Sequence, residues 1–247
     1  MKIIISPAKN MKEEVIGVGE ITTPMFLDDA LLIWDFLKHA DNDILKKAWE
    51  CNDDIVAKNK LRLEKHDLKS NLMPCLLVYD GLQYKKMGAN VFNDDMWNYV
   101  NKHLRILSGI YGLLRPMDGI NPYRIMMGAN IKVNGTKNLY DYWGNRIYDA
   151  LVKDDNVILN LASKEYSDVI EPFIKDDVKM YTVNFMCMNK GKLVIKGTEA
   201  KACRGLMVQY LARNNVEDIE GVKGFDEMDY KFNKELSIDD KLVFVKQ

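Results

Sequence analysis

The chain has 247 residues, a formal net charge of −1 and 47% hydrophobic residues, which is enough for a sizeable core. No apolar run reaches the roughly 18 residues that a membrane helix needs, so we expect a soluble protein. The four cysteines are scattered without a C-x-x-C pair and the N-terminus has no signal region, so we expect a reduced, cytoplasmic protein.

The elements predicted in the first third of the chain follow from short apolar runs and helical periodicity. A β-branched run stopped by Pro7 predicts a buried strand, and a second apolar run before Asp80 predicts another. The predicted elements are a strand over 2–6, helices over 23–39, 43–50 and 53–65, and a strand over 76–79. Ser6 and Lys9 follow the first strand, and Asp80 and Tyr84 follow the second.

The densest motif is the segment 104–128, which contains three arginines, two tyrosines and several glycines. Apolar residues at helical spacing from Met96 predict a helix, capped by Asn93 or Asp94, that carries Arg105 and Ser108 at its C-terminal end. Two glycines then allow backbone amides to approach an anion, while arginines supply paired donors. The predicted anion-binding residues here are Arg105, Ser108, Gly109, Tyr111, Gly112, Arg115, Tyr123 and Arg124. The alternative is a simple turn with solvated arginines.

The second half of the chain adds a third strand, a hairpin, a helix and a terminal strand. These elements are predicted over 157–161, 181–188 with 192–196, 200–214 and 242–246. The loop after the third strand holds Asn160, Ser163, Glu165 and Tyr166. Lys201 and Arg204 share one face near the start of the helix, where backbone amides also favour an anion.

Polar residues that follow several strands are expected to meet, because ligands in open α/β sheets bind beyond the carboxyl ends of strands. Lys9, Glu165 and Tyr166 are the candidate catalytic residues for proton transfer, and Lys9 could act covalently if burial lowers its pKa. Asn160, Ser163, Lys201 and Arg204 join the anion-binding set. Helices and strands mix without strict alternation, so the sequence predicts one α/β (irregular α+β) domain over 1–247, with a mixed sheet, surrounding helices and a basic cleft.

Charge is sorted along the chain in a way that supports such a cleft. Residues 101–146 and 190–213 each sum to +5, whereas 216–240 sum to −6. An uneven distribution of this kind steers anions to one region, although ordinary solvated charges are the alternative.

The chain resembles the YaaA family, also called DUF328 or UPF0246, which are peroxide stress proteins of bacteria. Six blocks in the same order carry the resemblance: 3–9, 79–84, 104–128, 139–144, 160–166 and 201–205. The resemblance implies an α/β protein with a positively charged cleft and a role in limiting damage by peroxide and free iron. It also implies DNA binding through a helix-hairpin-helix-like element, which would correspond to residues 107–114.

Two functions follow as hypotheses. The first is non-specific binding of double-stranded DNA through the hairpin at 107–114, which would contact phosphates without reading bases. The alternative is an enzyme that acts on a small phosphorylated or nucleotide-like substrate in the same cleft, although no complete catalytic signature is present. The three histidines are far apart, so no metal or other cofactor is expected, and the oligomeric state stays open. Cys203, between Lys201 and Arg204, is the cysteine whose pKa basic neighbours could lower, although a helical cysteine flanked by alanine more often faces the core.

Overall fold

A mixed β-sheet runs through the centre of the protein, whose computed structural model describes residues 1–15 and 19–247. The strands of these residues are β1 (Lys2–Ile5), β2 (Met73–Pro74), β3 (Leu104–Ser108), β4 (Gly112–Leu114), β5 (Gly119–Ile120), β6 (Val157–Asn160), β7 (Lys179–Asn189), β8 (Lys192–Val194), β9 (Tyr230–Phe232) and β10 (Lys241–Lys246). Eight of them form one sheet in the order β4-β3-β1-β6-β7-β10-β9, with β8 beside β7, while β2 and β5 form a separate pair. The α/β class with a mixed sheet is confirmed.

Strand β1 lies in the parallel part of the sheet and is buried on both faces. Ile4 has Arg105 of β3 as its register partner on one side and Asn160 of β6 on the other. Ile3, Ile4 and Ile5 are fully buried, as expected for a parallel strand covered on both faces. The predicted strands over 2–6 and 157–161 are confirmed.

The chain reverses its direction of travel across the sheet between β1 and β6. From β1 it proceeds to β3 on one side, and from β6 it proceeds to β7 on the other. Neighbouring parallel strands whose connections diverge in this way leave a crevice beyond their carboxyl ends, the usual ligand position in open α/β sheets. The fold therefore directs attention to the loops that follow β1 and β6.

Helices surround the sheet. Within residues 1–15 and 19–247 they are α1 (Leu27–His39), α2 (Asn42–Trp49), α3 (Asp53–Lys65), α4 (Cys75–Val78), α5 (Leu82–Met87), α6 (Asp94–His103), α7 (Leu139–Trp143), α8 (Arg146–Leu151), α9 (Lys164–Ser167), α10 (Gly197–Arg213) and α11 (Ile219–Val222), together with short 3₁₀ turns at Ala89–Val91, Val133–Gly135, Glu171–Phe173 and Glu227–Asp229. None of the helices in the described ranges combines the length and apolarity that crossing a bilayer requires.

Several predicted helices are confirmed, and side chains cap their N-termini. Asp41 accepts a hydrogen bond from the Ile44 N–H at 2.8 Å, and Asn93 accepts one from the Met96 N–H at 2.9 Å. The hairpin of β7 and β8 is also confirmed. Its turn places Lys190 and Gly191 at positive φ, 48° and 77°, a backbone that suits tight hairpins.

Two predictions about secondary structure are wrong. Residues 76–79 are not a strand, because Cys75–Val78 form α4 directly after Pro74. An apolar run of four residues fits either a buried strand or a buried helix, so periodicity could not decide. The helix expected to carry Arg105 and Ser108 ends at His103, and Leu104–Ser108 pair with β1 as β3.

Helix α10 packs closely on α5, which matters for the site. A Cβ atom built on Gly205 would lie 2.0 Å from the carbonyl oxygen of Gln83 and 3.0 Å from the Met87 amide nitrogen. Only a glycine permits this approach of two helix backbones. The contact fixes the position of α5 against the middle of α10.

Candidate functional site

A cavity of about 290 Å³ opens beyond the carboxyl ends of β1 and β6, between α5, α10 and the loop that follows β5. Its volume is near the lower end of the range typical of small-molecule pockets. The lining residues come from separate parts of the chain: Ser6 to Asn10, Asp80 to Tyr84, Tyr123 to Met126, Ser163, Glu165, Tyr166, Lys201 and Arg204. The prediction that polar residues after β1 and β6 meet is confirmed.

Two serines close the base of the cavity, where the first and third predicted strands end. The Ser163 amide donates to Ser6 Oγ at 2.8 Å, and the two hydroxyl oxygens lie 3.1 Å apart. The Tyr84 hydroxyl donates to the Ser6 carbonyl at 2.9 Å. These bonds tie α5 and both strand ends into one frame.

Four cationic side chains line the cavity, and Arg124 and Arg204 are less exposed than Lys9 and Lys201. The Nε of Arg204 is buried with no hydrogen-bond partner in the described residues, and burial alone lowers the pKa of its guanidinium. Arg124 donates through Nε and Nη2 to the Trp49 carbonyl at 3.3 and 3.2 Å, so within the described part of the chain its charge is paired with a carbonyl dipole and not with a carboxylate. Lys9 and Lys201 are exposed at the rim.

Two carboxylates face these four cations, which leaves the lining with a net charge of +2. Glu165 is half-buried, and its Oε1 accepts the Gly128 N–H at 3.1 Å. Asp80 is already paired with Lys85, at 3.1 Å. The excess of positive charge suits a dianion. Glu165 is the carboxylate placed to accept a hydrogen bond from a hydroxyl group of that ligand, or to accept its proton.

Tyrosines supply the apolar walls. Tyr84, Tyr123 and Tyr166 line the cavity, and burial raises the pKa of each phenol, for Tyr123 to about 12. All three are therefore neutral donors near pH 7. The Tyr123 hydroxyl also lies 2.7 Å from both Ser108 Oγ and the Tyr79 hydroxyl, so these three hydroxyl groups form a buried chain.

Arg105 and Arg115, two of the residues predicted to bind an anion, do not line the cavity. Arg105 lies at the amino end of β3, away from the carboxyl ends that frame the cavity, and donates to the Asn101 and Leu104 carbonyls at 3.1 and 2.7 Å. Arg115 is neutralised by the buried Asp118, with Nη2 to Oδ1 at 2.9 Å.

The glycine turn at 107–114 is also not an anion-binding loop. It is a β-hairpin of β3 and β4 and is buried throughout, so the expected helix-hairpin-helix element is absent from this described segment. The Trp143 indole covers the turn: its Nε1 donates to the Gly109 carbonyl at 3.0 Å, and its ring would be 2.8 Å from a Cβ on Gly112. The Tyr111 amide donates to Ser108 Oγ at 3.1 Å rather than to a ligand.

The remaining predicted residues occupy supporting or peripheral positions. Asn160 is buried and its Oδ1 accepts the Ala162 N–H at 2.9 Å, which shapes the loop after β6. Lys9 has a side chain that is 54% exposed, so the burial expected to activate it is absent. Lys201 and Arg204 lie more than one turn inside α10, which begins at Gly197, so the helix N-terminus does not add to their site.

Cys203 faces the core, as expected for a helical cysteine flanked by alanine, and its basic neighbours do not lower its pKa. Cys203 is fully buried, and burial together with Glu199 raises the pKa of its thiol to about 12. A thiol of that pKa is almost entirely protonated at neutral pH and reacts slowly with peroxide. Within residues 1–15 and 19–247, no group of three or more His, Cys, Asp or Glu side chains could hold a metal ion.

Sequence reasoning missed Gln83, which lines the cavity from α5. Its side chain is 7% exposed, and its Nε2 is buried with no partner among the described residues. A single glutamine in a short helix carries no sequence signal. Only the packing of α5 on α10 shows that this amide is enclosed.

Comparison with known proteins places the chain among close relatives over its full length. The family profile described as "Peroxide stress protein YaaA" matches residues 1–236. A UPF0246 protein of Agathobacter rectalis is 41% identical over 244 residues, which cover 99% of this chain and 98% of the relative. A UPF0246 protein of Ligilactobacillus salivarius is 41% identical over 246 residues, 100% of each chain, and one of Limosilactobacillus reuteri is 42% identical over 245 residues, 99% of this chain and 98% of the relative.

Proposed function

The chain belongs to the family of the peroxide stress protein YaaA, and from that membership and its basic cavity we propose that it binds a small phosphorylated molecule during the response to peroxide. The family gives a general role in oxidative stress. The ligand class is inferred from the charge and enclosure of the cavity.

The buried Nε of Arg204, which has no hydrogen-bond partner among the described residues, is the observation that carries this proposal. An arginine whose Nε has lost water and gained no protein partner is destabilising until an anion enters. Phosphate and carboxylate are the groups whose oxygens match the guanidinium geometry. A lining charge of +2 favours the dianion of a phosphate monoester over a carboxylate.

Glu165 and Tyr166 would supply acid and base groups if the ligand is turned over. Glu165 is held by the Gly128 amide, which leaves its other oxygen for a ligand hydroxyl or water. Tyr166 stays protonated because burial raises its pKa, so it can donate to a developing negative charge. Lys9, exposed at the rim, would contribute charge rather than a covalent step.

The test is the affinity for phosphate monoesters, measured by isothermal titration calorimetry. Arg204→Gln should weaken binding about 10- to 150-fold, because a lost charge-assisted hydrogen bond costs about 1.5–3 kcal/mol. Arg213→Gln is the matched control: Arg213 lies in the same helix but is 53% exposed and paired with Glu227. Equal affinity in the wild type and the Arg204 variant would contradict the proposal.

The same pair of variants tests the role in cells. Cells that carry Arg204→Gln should survive peroxide less well than the wild type, while Arg213→Gln should behave as the wild type. We also propose a reducing, cytoplasmic location, which the four free cysteines support.

DNA binding is the second candidate, favoured by Lys9 and Lys201, exposed cations at the rim of the cavity. It would act through phosphates, so affinity for duplex DNA should fall steeply between low and physiological salt, with little sequence preference. Glu165→Gln separates the two functions. The change removes a negative charge, so it should leave DNA affinity unchanged or higher, whereas it should abolish peroxide protection if Glu165 is catalytic.

A further inference from the structure

We propose that Gln83 and Arg204 together select the ligand, which is a nucleoside monophosphate: the base is read by Gln83 and the phosphate is held on the side of Arg204. This inference rests on the proposed binding of a phosphate monoester and adds the chemical nature of the group attached to the phosphate.

Gln83 is a buried amide without a partner. Its side chain is more than nine-tenths buried, it lines the cavity, and its Nε2 has no hydrogen bond in the described residues. Buried amide groups in folded proteins are normally paired, and an unpaired one calls for a specific explanation. Whichever way round the amide is placed, one of its polar ends is enclosed and has no partner among the described residues.

The backbone that carries Gln83 cannot slide away to relieve this unpaired group. Its carbonyl oxygen packs against Gly205, where even a methyl group would approach to 2.0 Å, and Gly205 directly follows Arg204 in α10. The next residue, Tyr84, is tied to the Ser6 carbonyl at 2.9 Å. The amide of Gln83 and the guanidinium of Arg204 are therefore held in fixed relation on two helices that meet at the cavity.

The rest of the lining favours a flat, heterocyclic group beside the phosphate. Three aromatic side chains, Tyr84, Tyr123 and Tyr166, line a cavity of about 290 Å³. A base offers a face that stacks on such rings and an edge of ring nitrogens and carbonyls that an amide can read. A sugar phosphate offers neither, and a duplex exceeds the enclosed space.

The experiment compares AMP, GMP, CMP and UMP with ribose 5-phosphate by isothermal titration calorimetry on the full chain. At least one nucleotide should bind roughly 10-fold more tightly than ribose 5-phosphate. Gln83→Met, which keeps the length of the side chain but removes its polar atoms, should reduce that preference to about threefold or less and leave ribose 5-phosphate affinity unchanged. Gln247→Met is the control, because Gln247 is exposed, lies outside the cavity and donates to the Val245 carbonyl at 3.3 Å.

Two other outcomes would overturn the inference in distinguishable ways. If ribose 5-phosphate binds as tightly as every nucleotide, the reading by Gln83 is wrong and the phosphate proposal stands. If neither class binds, both proposals fail. Melting curves check the fold of each variant. If Gln83→Met is unfolded, Gln83→Leu takes its place: it also removes both polar atoms of the amide, so it should again erase the preference, and a preserved preference would refute the role of Gln83.

Discussion

The contact between α5 and α10 yields a quantitative prediction, because a single methyl group should disturb both the fold and the cavity. In Gly205→Ala the new Cβ would meet the Gln83 carbonyl oxygen at 2.0 Å and the Met87 amide nitrogen at 3.0 Å. Both atoms belong to the backbone of a neighbouring helix, so no side-chain rotation can relieve the clash. The helices must separate, and α5 must carry Gln83 and Tyr84 with it.

The expected cost is that of overpacking a close contact, about 1–3 kcal/mol, which exceeds the gain of roughly 0.5–1 kcal/mol from alanine over glycine in a helix. For a chain of this size each kcal/mol lowers the melting temperature by about 2–4 °C, so a fall of roughly 2–12 °C before that offset is expected. Calorimetric melting measures it. Affinity for a phosphate monoester should also weaken, because the wall of the cavity moves.

Gly197→Ala is the matched control for this prediction. Gly197 begins the same helix, and nothing lies within 4 Å of a Cβ atom built there. This variant should be as stable as the wild type or more stable, with unchanged affinity. If Gly205→Ala melts at the same temperature as Gly197→Ala, the close packing of α5 on α10 is not present in solution and the argument for a rigid cavity wall is refuted.

Three further predictions concern positions outside the cavity. Gly112→Ala should destabilise the protein more than Gly191→Ala. Both residues have positive φ, 67° and 77°, but only at Gly112 does a ring, that of Trp143, lie 2.8 Å from the Cβ position. Equal melting temperatures of the two variants would contradict the role of the indole. Burial lowers the pKa of His103, so below pH about 6.5 the unfolded chain binds more protons than the folded one, and stability should fall as the pH drops through that value. His103→Gln should therefore flatten the acid side of the plot of melting temperature against pH. An unchanged slope would exclude this histidine as the source of the pH dependence. Cys203 should resist alkylation in the folded protein and react in denaturant, and rapid labelling of the native state would show that its thiol is not enclosed as described.

The strands that frame the cavity could be predicted from sequence because their apolar runs are short, β-branched and sharply bounded. Residues 2–6 end at Pro7, and 157–161 end in a polar loop, so the convergence of Ser6, Ser163 and Glu165 followed from a general property of parallel sheets. Residues 76–79 are also followed by a polar residue, Asp80, but a run of four apolar residues fits a buried helix equally well, and their helix depends on packing that only the folded chain provides.

The basic residues show the limit of sequence reasoning more clearly. Arg105 fitted an anion site only if the preceding helix continued, and Leu104 satisfies helical and strand patterns equally. Arg115 looked available because Asp118, three residues later, was not recognised as its buried partner. Gln83 was missed for the opposite reason: its importance comes from the absence of a partner, which no local pattern records.

The cavity is assembled from stretches that are far apart in the chain, beginning at Ser6 and ending at Arg204. During synthesis, a ribosome-bound chain that still lacks α10 would have no complete cavity. Binding of the proposed ligand would therefore become possible only after this last large helix has been made. Contacts of such long sequence separation form late and slowly in folding. A ligand that bridges them links early and late parts of the chain, and at 100 times its Kd it would stabilise the finished protein by about 2.7 kcal/mol. The concentration of the proposed ligand would then affect the lifetime of the protein against proteolysis in the cell. The rate at which the protein is degraded would in this way depend on the supply of that ligand.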